Sequence, residues 1–153
     1  MSFSHIQDGR AKMVDIGGKA DMSRRAVAAG EIRLRRETLE AIKTRKIVKG
    51  EVLETARIAA VMAVKTTPFA IPMCHNIPIT SIDVRFDMGA EIITATVEVS
   101  SIGKTGVEME ALHGVSVALL TIWDMVKSAE KDATGNYPST EISNIRVLEK
   151  TKT

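Results

Sequence analysis

Between Ser81 and Val99 the chain alternates apolar and polar side chains along two runs that are broken once by a turn. Ile82, Val84, Phe86 and Met88 interleave with Ser81, Asp83, Arg85 and Asp87; past Gly89, the residues Ile93, Ala95, Val97 and Val99 interleave with Thr94, Thr96 and Glu98. A period of two sends one set of each run to one side of a pleated strand and the other set to the opposite side. The pattern therefore predicts a β-hairpin with one apolar face that something else must cover.

Candidates to cover it flank the hairpin. Upstream, from Arg24, the side chains of Ala26, Ala28, Gly30, Ile32 and Leu34 alternate with Arg25, Glu31 and Arg33, which predicts another strand. Arg35 to Arg45 holds Leu39 and Ile42 among good helix formers and predicts a short surface helix ending before Lys49-Gly50. A second helix follows, with Val52, Ala56, Ala59 and Ala63 at near-helical spacing, and Pro68 with Pro72 blocks its continuation. Downstream of Gly103 and Gly106, a long helix carries Val107, Ala111, Val115, Ala118, Leu119, Ile122 and Val126 on one side and should end near Lys131. A polar loop with Gly135, Asn136 and Pro138 leads to a closing strand at Ile142, Ile145 and Val147. Met1 to Lys12 has no periodicity and is expected to be a flexible arm or a partner-contacting strand, with no part assigned to it in the fold.

Strand, two helices, strand, strand, helix, strand is the split βαββαβ order with an extra helix in the first crossover. The expected fold is a ferredoxin-like α+β two-layer sandwich in a single domain, 1–153. Helices cover one face of such a sheet, so the other face needs polar residues or a neighbouring subunit. With 153 residues and 44% apolar side chains the chain can bury one core, and with 3% aromatics that core must be aliphatic.

The 21 basic and 19 acidic residues are dispersed and sum to +2, leaving no basic stripe for a nucleic acid. The lone Cys74 has no partner for an internal disulfide and no leader opens the chain, so the cytoplasm is the expected compartment. The longest purely apolar run, Ile58 to Val64, is too short to span a bilayer.

Several groups bear on chemistry. Gly103-Lys104-Thr105-Gly106 evokes a phosphate-binding loop, but that motif needs glycine where Glu98 stands. What survives is a helix start whose free amides suit an anion, or a plain turn with a solvated lysine. Lys49-Gly50-Glu51 offers the same choice at the start of the second helix. His75, in a loop braced by Pro72 and Pro78, fits either a phosphate contact or a structural hydrogen bond. Cys74 by itself reads as a core residue. One cysteine and three histidines give no closed zinc set. Asp124 and Lys127 share a helix face, as an ion pair or as a carboxylate base beside an ammonium acid. Glu108 and Glu110 suit the start of the long helix on electrostatic grounds alone. Glu110 and Asp124 are fourteen residues apart, about 21 Å of helix. If both are catalytic, different subunits must supply them to one site.

At Lys49-Gly50-Glu51-Val52, Ala56-Arg57-Ile58-Ala59, Ile71-Pro72-Met73-Cys74-His75, Gly103 to Leu112 and Thr121 to Lys127, the chain resembles the molybdenum-cofactor biosynthesis protein C family. The likeness runs from Met13 to Lys150, and the ten residues from Gly103 carry it most specifically. It implies a ferredoxin-like fold, homohexamers built as trimers of dimers, and active sites at subunit interfaces. The implied reaction turns a cyclic dihydro-GTP intermediate, made by an upstream radical GTP cyclase, into cyclic pyranopterin monophosphate with release of pyrophosphate. By motif, Lys49 and Lys127 resemble catalytic lysines that hold phosphate and donate protons, and Asp124 the acid-base carboxylate. His75 and Arg24 resemble triphosphate contacts, Glu110 a contact to the purine-derived ring, and Lys150 a further anion-facing lysine. Met73, Cys74 and Met109 fall within the substrate-lining motifs. Magnesium on the pyrophosphate is compatible with this chemistry, though no ligand cluster demands it.

The chain departs from the family pattern at Asn76 for proline, His113 for a small residue, Trp123 for tyrosine, a longer polar segment from Ala133 to Ser143, and a shortened tail. Two rival classes have the same fold. An RNA-binding module of the same topology needs sheet aromatics, and Ile92 to Val97 has none. A catalytically silent oligomeric ligand-sensing domain shares the fold; loss of pyrophosphate release on Lys49→Ala or Lys127→Ala would separate enzyme from sensor.

Overall fold

The structure is a computed structural model that describes residues 5–153. A small hairpin opens it, pairing β1 (Ile6–Gln7) with β2 (Arg10–Ala11). Asp8 (φ 52°) and Gly9 (φ 72°) make the turn, and Asp-Gly is the pair that tolerates two positive φ angles in a two-residue hairpin loop. The Asp-Gly turn signal, rather than any periodicity, thus gives this part of the arm a local two-stranded hairpin. Residues 1–4 of that arm lie outside the described residues.

The remaining elements are β3 (Met22–Arg33), α1 (Arg36–Lys43), α2 (Val52–Lys65), α3 (Thr67–Ala70), β4 (Ile79–Met88), β5 (Ile92–Gly103), α4 (Glu108–Glu130) and β6 (Glu141–Lys152). The strands form one sheet in the order β4-β5-β3-β6, every neighbour antiparallel. That is the ferredoxin-like arrangement expected from the element order. Two details differ. Pro68 does stop α2, but it then serves at the start of the one-turn helix α3, where a missing N–H costs nothing. β6 runs five residues past Val147, to Lys152, because its partner β3 continues that far.

The aliphatic core lies between the sheet and the α2/α4 layer. Ala26, Ala28 and Ile32 of β3, Ile93, Ala95, Val97 and Val99 of β5, and Val115, Leu119, Ile122 and Val126 of α4 are buried. Gly30 marks the closest approach: a Cβ there would sit 2.8 Å from Val115, 2.9 Å from Ile145 and 3.0 Å from Leu119. Gly114 lets α2 and α4 approach in the same way, with Val64 at 2.9 Å and Val97 at 3.1 Å from an added Cβ. The opposite face takes the polar solution. Arg25 binds Glu98 (2.6 Å) and Glu149 (3.2 Å), and Arg85 approaches Glu98 at 3.8 Å.

The two ends of α4 are fixed differently. At its C-terminus the fully buried Glu130 accepts the Arg35 backbone N–H (3.0 Å) and the Thr140 hydroxyl (2.7 Å), while the Arg35 guanidinium donates to the Glu130 carbonyl (2.8 Å). A buried carboxylate is tolerated only with such donors. By length and composition α4 could cross a bilayer, but its apolar side is spent on the sheet and its other side bears Asp124 and Lys127.

Candidate active site

Three groups of candidate residues emerge, and one chain does not unite them. The first lies where the α1–α2 connection meets the last turns of α4. Arg45 (φ 57°) and Gly50 (φ 106°) bend that connection and deliver Lys49 to Asp124. The Lys49 ammonium donates to Asp124 Oδ2 (2.9 Å) and to its backbone carbonyl (2.8 Å), and Lys127 Nζ stands 3.1 Å from Oδ1. The hydrogen bond from Lys49, then that from Lys127, hold the Asp124 carboxyl below its usual range. All three side chains are about half exposed, and solvent screening leaves such exposed pairs little to add to stability. Stability is a weak reason for two lysines to share one carboxylate.

The second group surrounds a cavity of about 390 Å³ at the other end of α4. Met73, Cys74 and His75 line it from the loop after α3, Met109 and Glu110 from the first turn of α4, and Lys19 from the N-terminal segment. His75 Nε2 is 2.6 Å from the Val14 carbonyl; a carbonyl only accepts, so this nitrogen donates and Nδ1 is the atom left for another partner. Burial pushes the Cys74 thiol up and the Glu110 charge adds to the effect, which makes it a poor nucleophile and a plausible wall. Glu110 is 3% exposed. Its burial raises the carboxyl above the ordinary range, against its own amide and with help from Glu108.

The third group adjoins the second. Arg24, Lys150 and Glu108 line a recess of about 220 Å³, and Glu108 also faces the larger cavity. Lys150 binds Glu108 at 2.7 Å. Burial opposes charge on Glu108, but the Lys150 hydrogen bond, its own amide and the Lys150 and Arg24 charges prevail and hold the carboxyl low. Arg24 donates to the Lys104 carbonyl (3.3 Å), yet its Nε is buried without a partner, as is the hydroxyl of its cross-strand neighbour Ser101. An unmet buried donor costs about 1–3 kcal/mol.

Arg24, Met73, Cys74, His75, Met109, Glu110 and Lys150 thus gather at one end of α4, and Lys49, Asp124 and Lys127 at the other. The sequence had marked Glu108 only as a carboxylate suited to a helix start; its link to Lys150, 42 residues away, has no local signal. The Gly103–Gly106 segment is no phosphate loop. Lys104 turns to the Lys19 carbonyl (2.6 Å) and to Asp21 (3.6 Å), fastening the N-terminal segment. His113 is structural, with Nδ1 near Thr67 Oγ1 (3.1 Å) and the Ala63 carbonyl (2.9 Å).

A larger hollow, about 670 Å³, is elsewhere, beside Arg33, Arg35, Arg36 and Thr140. There Glu91 meets Arg33 (3.5 Å) and Arg36 (3.2 Å), and the Arg35 guanidinium donates to the Glu130 carbonyl. Among the described residues, no three His, Cys, Asp or Glu side chains are placed to hold a metal ion.

Residues 13–153 match the profile of the MoaC family, so every candidate residue falls inside the match. The chain belongs to the MoaC family. Curated MoaC-type relatives extend the likeness over full length. A probable cyclic pyranopterin monophosphate synthase of Methanosarcina mazei is 68% identical over 151 residues, covering 99% of this chain and 96% of the relative. Proteins of the same description from Archaeoglobus fulgidus and Pyrococcus furiosus are 60% and 56% identical over 152 residues, each covering 99% of this chain and 97% of the relative.

Proposed function

We propose that this MoaC-family chain is a cyclic pyranopterin monophosphate synthase of the cytoplasm. It would convert the cyclic dihydro-GTP product of a radical GTP cyclase to cyclic pyranopterin monophosphate and release diphosphate, an early step towards molybdenum cofactor. The observation that carries the reading is the division of the site into two complementary halves on α4. One half offers a cavity with Arg24, His75 and Lys150 for phosphates and the buried Glu110 for a base. The other offers two ammonium groups around one carboxylate.

The halves are some 21 Å apart along the helix, so a second copy must join them. Val117 is midway between Glu110 and Asp124. Two chains related by a twofold axis near Val117, with their α4 helices antiparallel, set the Glu110 end of each against the Asp124 end of the other. Such a contact would cover Leu120 of α4 and Ile58 and Met62 on the exposed side of α2, each about 60% exposed in the single chain. The homohexamer implied by the family resemblance would repeat this pairing three times.

Within the joined site, the cations hold the triphosphate while a cyclic phosphate closes and diphosphate leaves, placing positive charge where negative charge grows. Lys49 and Lys127 are the proton donors at hand. Asp124, kept ionised by both, fixes them and can take a proton once the substrate's phosphates compete for the lysines. A magnesium ion, where one takes part, would come on the phosphates, since Glu108 and Asp124 are already engaged by lysines.

The test is turnover. Purified protein given the cyclic dihydro-GTP intermediate should yield pyrophosphate and a pterin product, and Lys49→Ala or Lys127→Ala should cut the rate by roughly 10²–10⁴-fold. A folded oligomer that releases neither product refutes the assignment and favours the ligand-sensing alternative.

A further inference from the structure

The segment between α4 and β6 has no part in the reaction above, yet it is closely fastened. Asp132 Oδ1 accepts the Thr134 N–H (2.8 Å), the Thr134 hydroxyl (2.6 Å) and the Asn136 N–H (3.1 Å). The Asp132 N–H donates to the Asn136 carbonyl at 2.9 Å, and Gly135 (φ 83°) makes the reversal. At the far end the Thr140 hydroxyl binds the buried Glu130. Between these two anchors the half-buried Tyr137 meets the half-buried Trp123, ring centroids 5.2 Å apart at 70°. That edge-to-face geometry is favourable beyond simple area burial.

Trp123 precedes Lys127 by one helical turn, so the two side chains are neighbours on the surface of α4. Asp124 stands on the other flank of Lys127, 3.1 Å from its ammonium. Helical spacing therefore sets the Lys127 stem between the Asp124 carboxylate and the Trp123 ring, and that ring is backed by Tyr137 of the fastened loop. A lysine stem is long and flexible, and apolar surface along it restricts where its head can go.

We propose that Trp123 and Tyr137 are positioning residues for Lys127: together they confine its stem so that the ammonium stays on the Asp124 side, where the substrate is met. The inference rests on the catalytic role assigned to Lys127 above.

The experiment measures steady-state kinetics on the intact oligomer with the cyclic dihydro-GTP intermediate. Tyr137→Ala should lower kcat about tenfold, the scale of a small misplacement of a reacting group, and leave KM within about twofold because the phosphate contacts are elsewhere. Tyr137→Phe should keep wild-type kcat, since the ring and not the hydroxyl makes the contact. Tyr137→Leu, which preserves apolar volume without an aromatic edge, serves where the alanine variant fails to assemble, and should also lower kcat. Wild-type kcat in the alanine or leucine variant overturns the proposal, as does a loss carried by KM alone. Absence of turnover in the wild type would instead sink the enzyme assignment. Full activity in Lys127→Ala would remove both the role of that lysine and the inference built on it.

Discussion

Asp124 and Glu110 are both acidic residues of one helix, and their surroundings drive them apart. Asp124 is open to water and pressed between two ammonium groups, so it remains ionised. Glu110 is buried, and its carboxyl is raised. For a carboxyl raised in the folded state, folding binds a proton in the window between the ordinary glutamate value and the higher folded one. Its contribution to stability is therefore greatest below the unfolded value, about pH 4, and falls as pH climbs through the folded value. Glu110→Gln removes that dependence. Urea unfolding at fixed protein concentration should show the glutamine variant gaining on wild type as pH rises from about 4 and levelling off thereafter; a difference constant with pH contradicts the buried-acid account. At this scale the sequence disclosed residue types but not company. Asp124 and Lys127 could be paired from their spacing, whereas Lys49 reaches Asp124 across 75 positions and Lys150 reaches Glu108 across 42. No local pattern encodes those meetings.

The elements were legible where one period persisted. The β4–β5 hairpin, α2 and α4 stand where alternation and helical spacing put them, because each buries a single continuous apolar face. Legibility failed where pattern was short or borrowed. The β1–β2 hairpin depends on two turn residues, α3 on a proline read only as a stop, and the full length of β6 on pairing with β3, not on its own exposed side chains. Gly30 shows how tightly the layers are set: its missing Cβ is the space into which Val115, Leu119 and Ile145 close. Gly30→Ala should destabilise the protein by about 1–3 kcal/mol through overpacking, despite alanine's lower backbone entropy cost. Chemical denaturation checks this, and a stabilised variant would mean that β3 and α4 are less closely opposed than described.

For the whole molecule, α4 is the central core helix and also separates the candidate residues, with Glu110 at its first turn and Asp124 and Lys127 near its last turns. Its inner face binds the sheet, and its outer face leaves Leu120 exposed, as α2 leaves Ile58 and Met62. A single copy therefore folds around its own core but leaves Arg24 Nε unmet and its two lysines far from the cavity. In the proposed twofold pairing, each of those incomplete ends would be completed by the other copy. The most direct measurement is complementation between two inactive variants, His75→Ala in one half-site and Lys127→Ala in the other. Mixed one to one and reassembled, they form twofold pairs of which half are mixed, and each mixed pair has one intact site. The account predicts recovery of about a quarter of wild-type turnover. No recovery from a properly assembled mixture would mean that each chain builds its site alone.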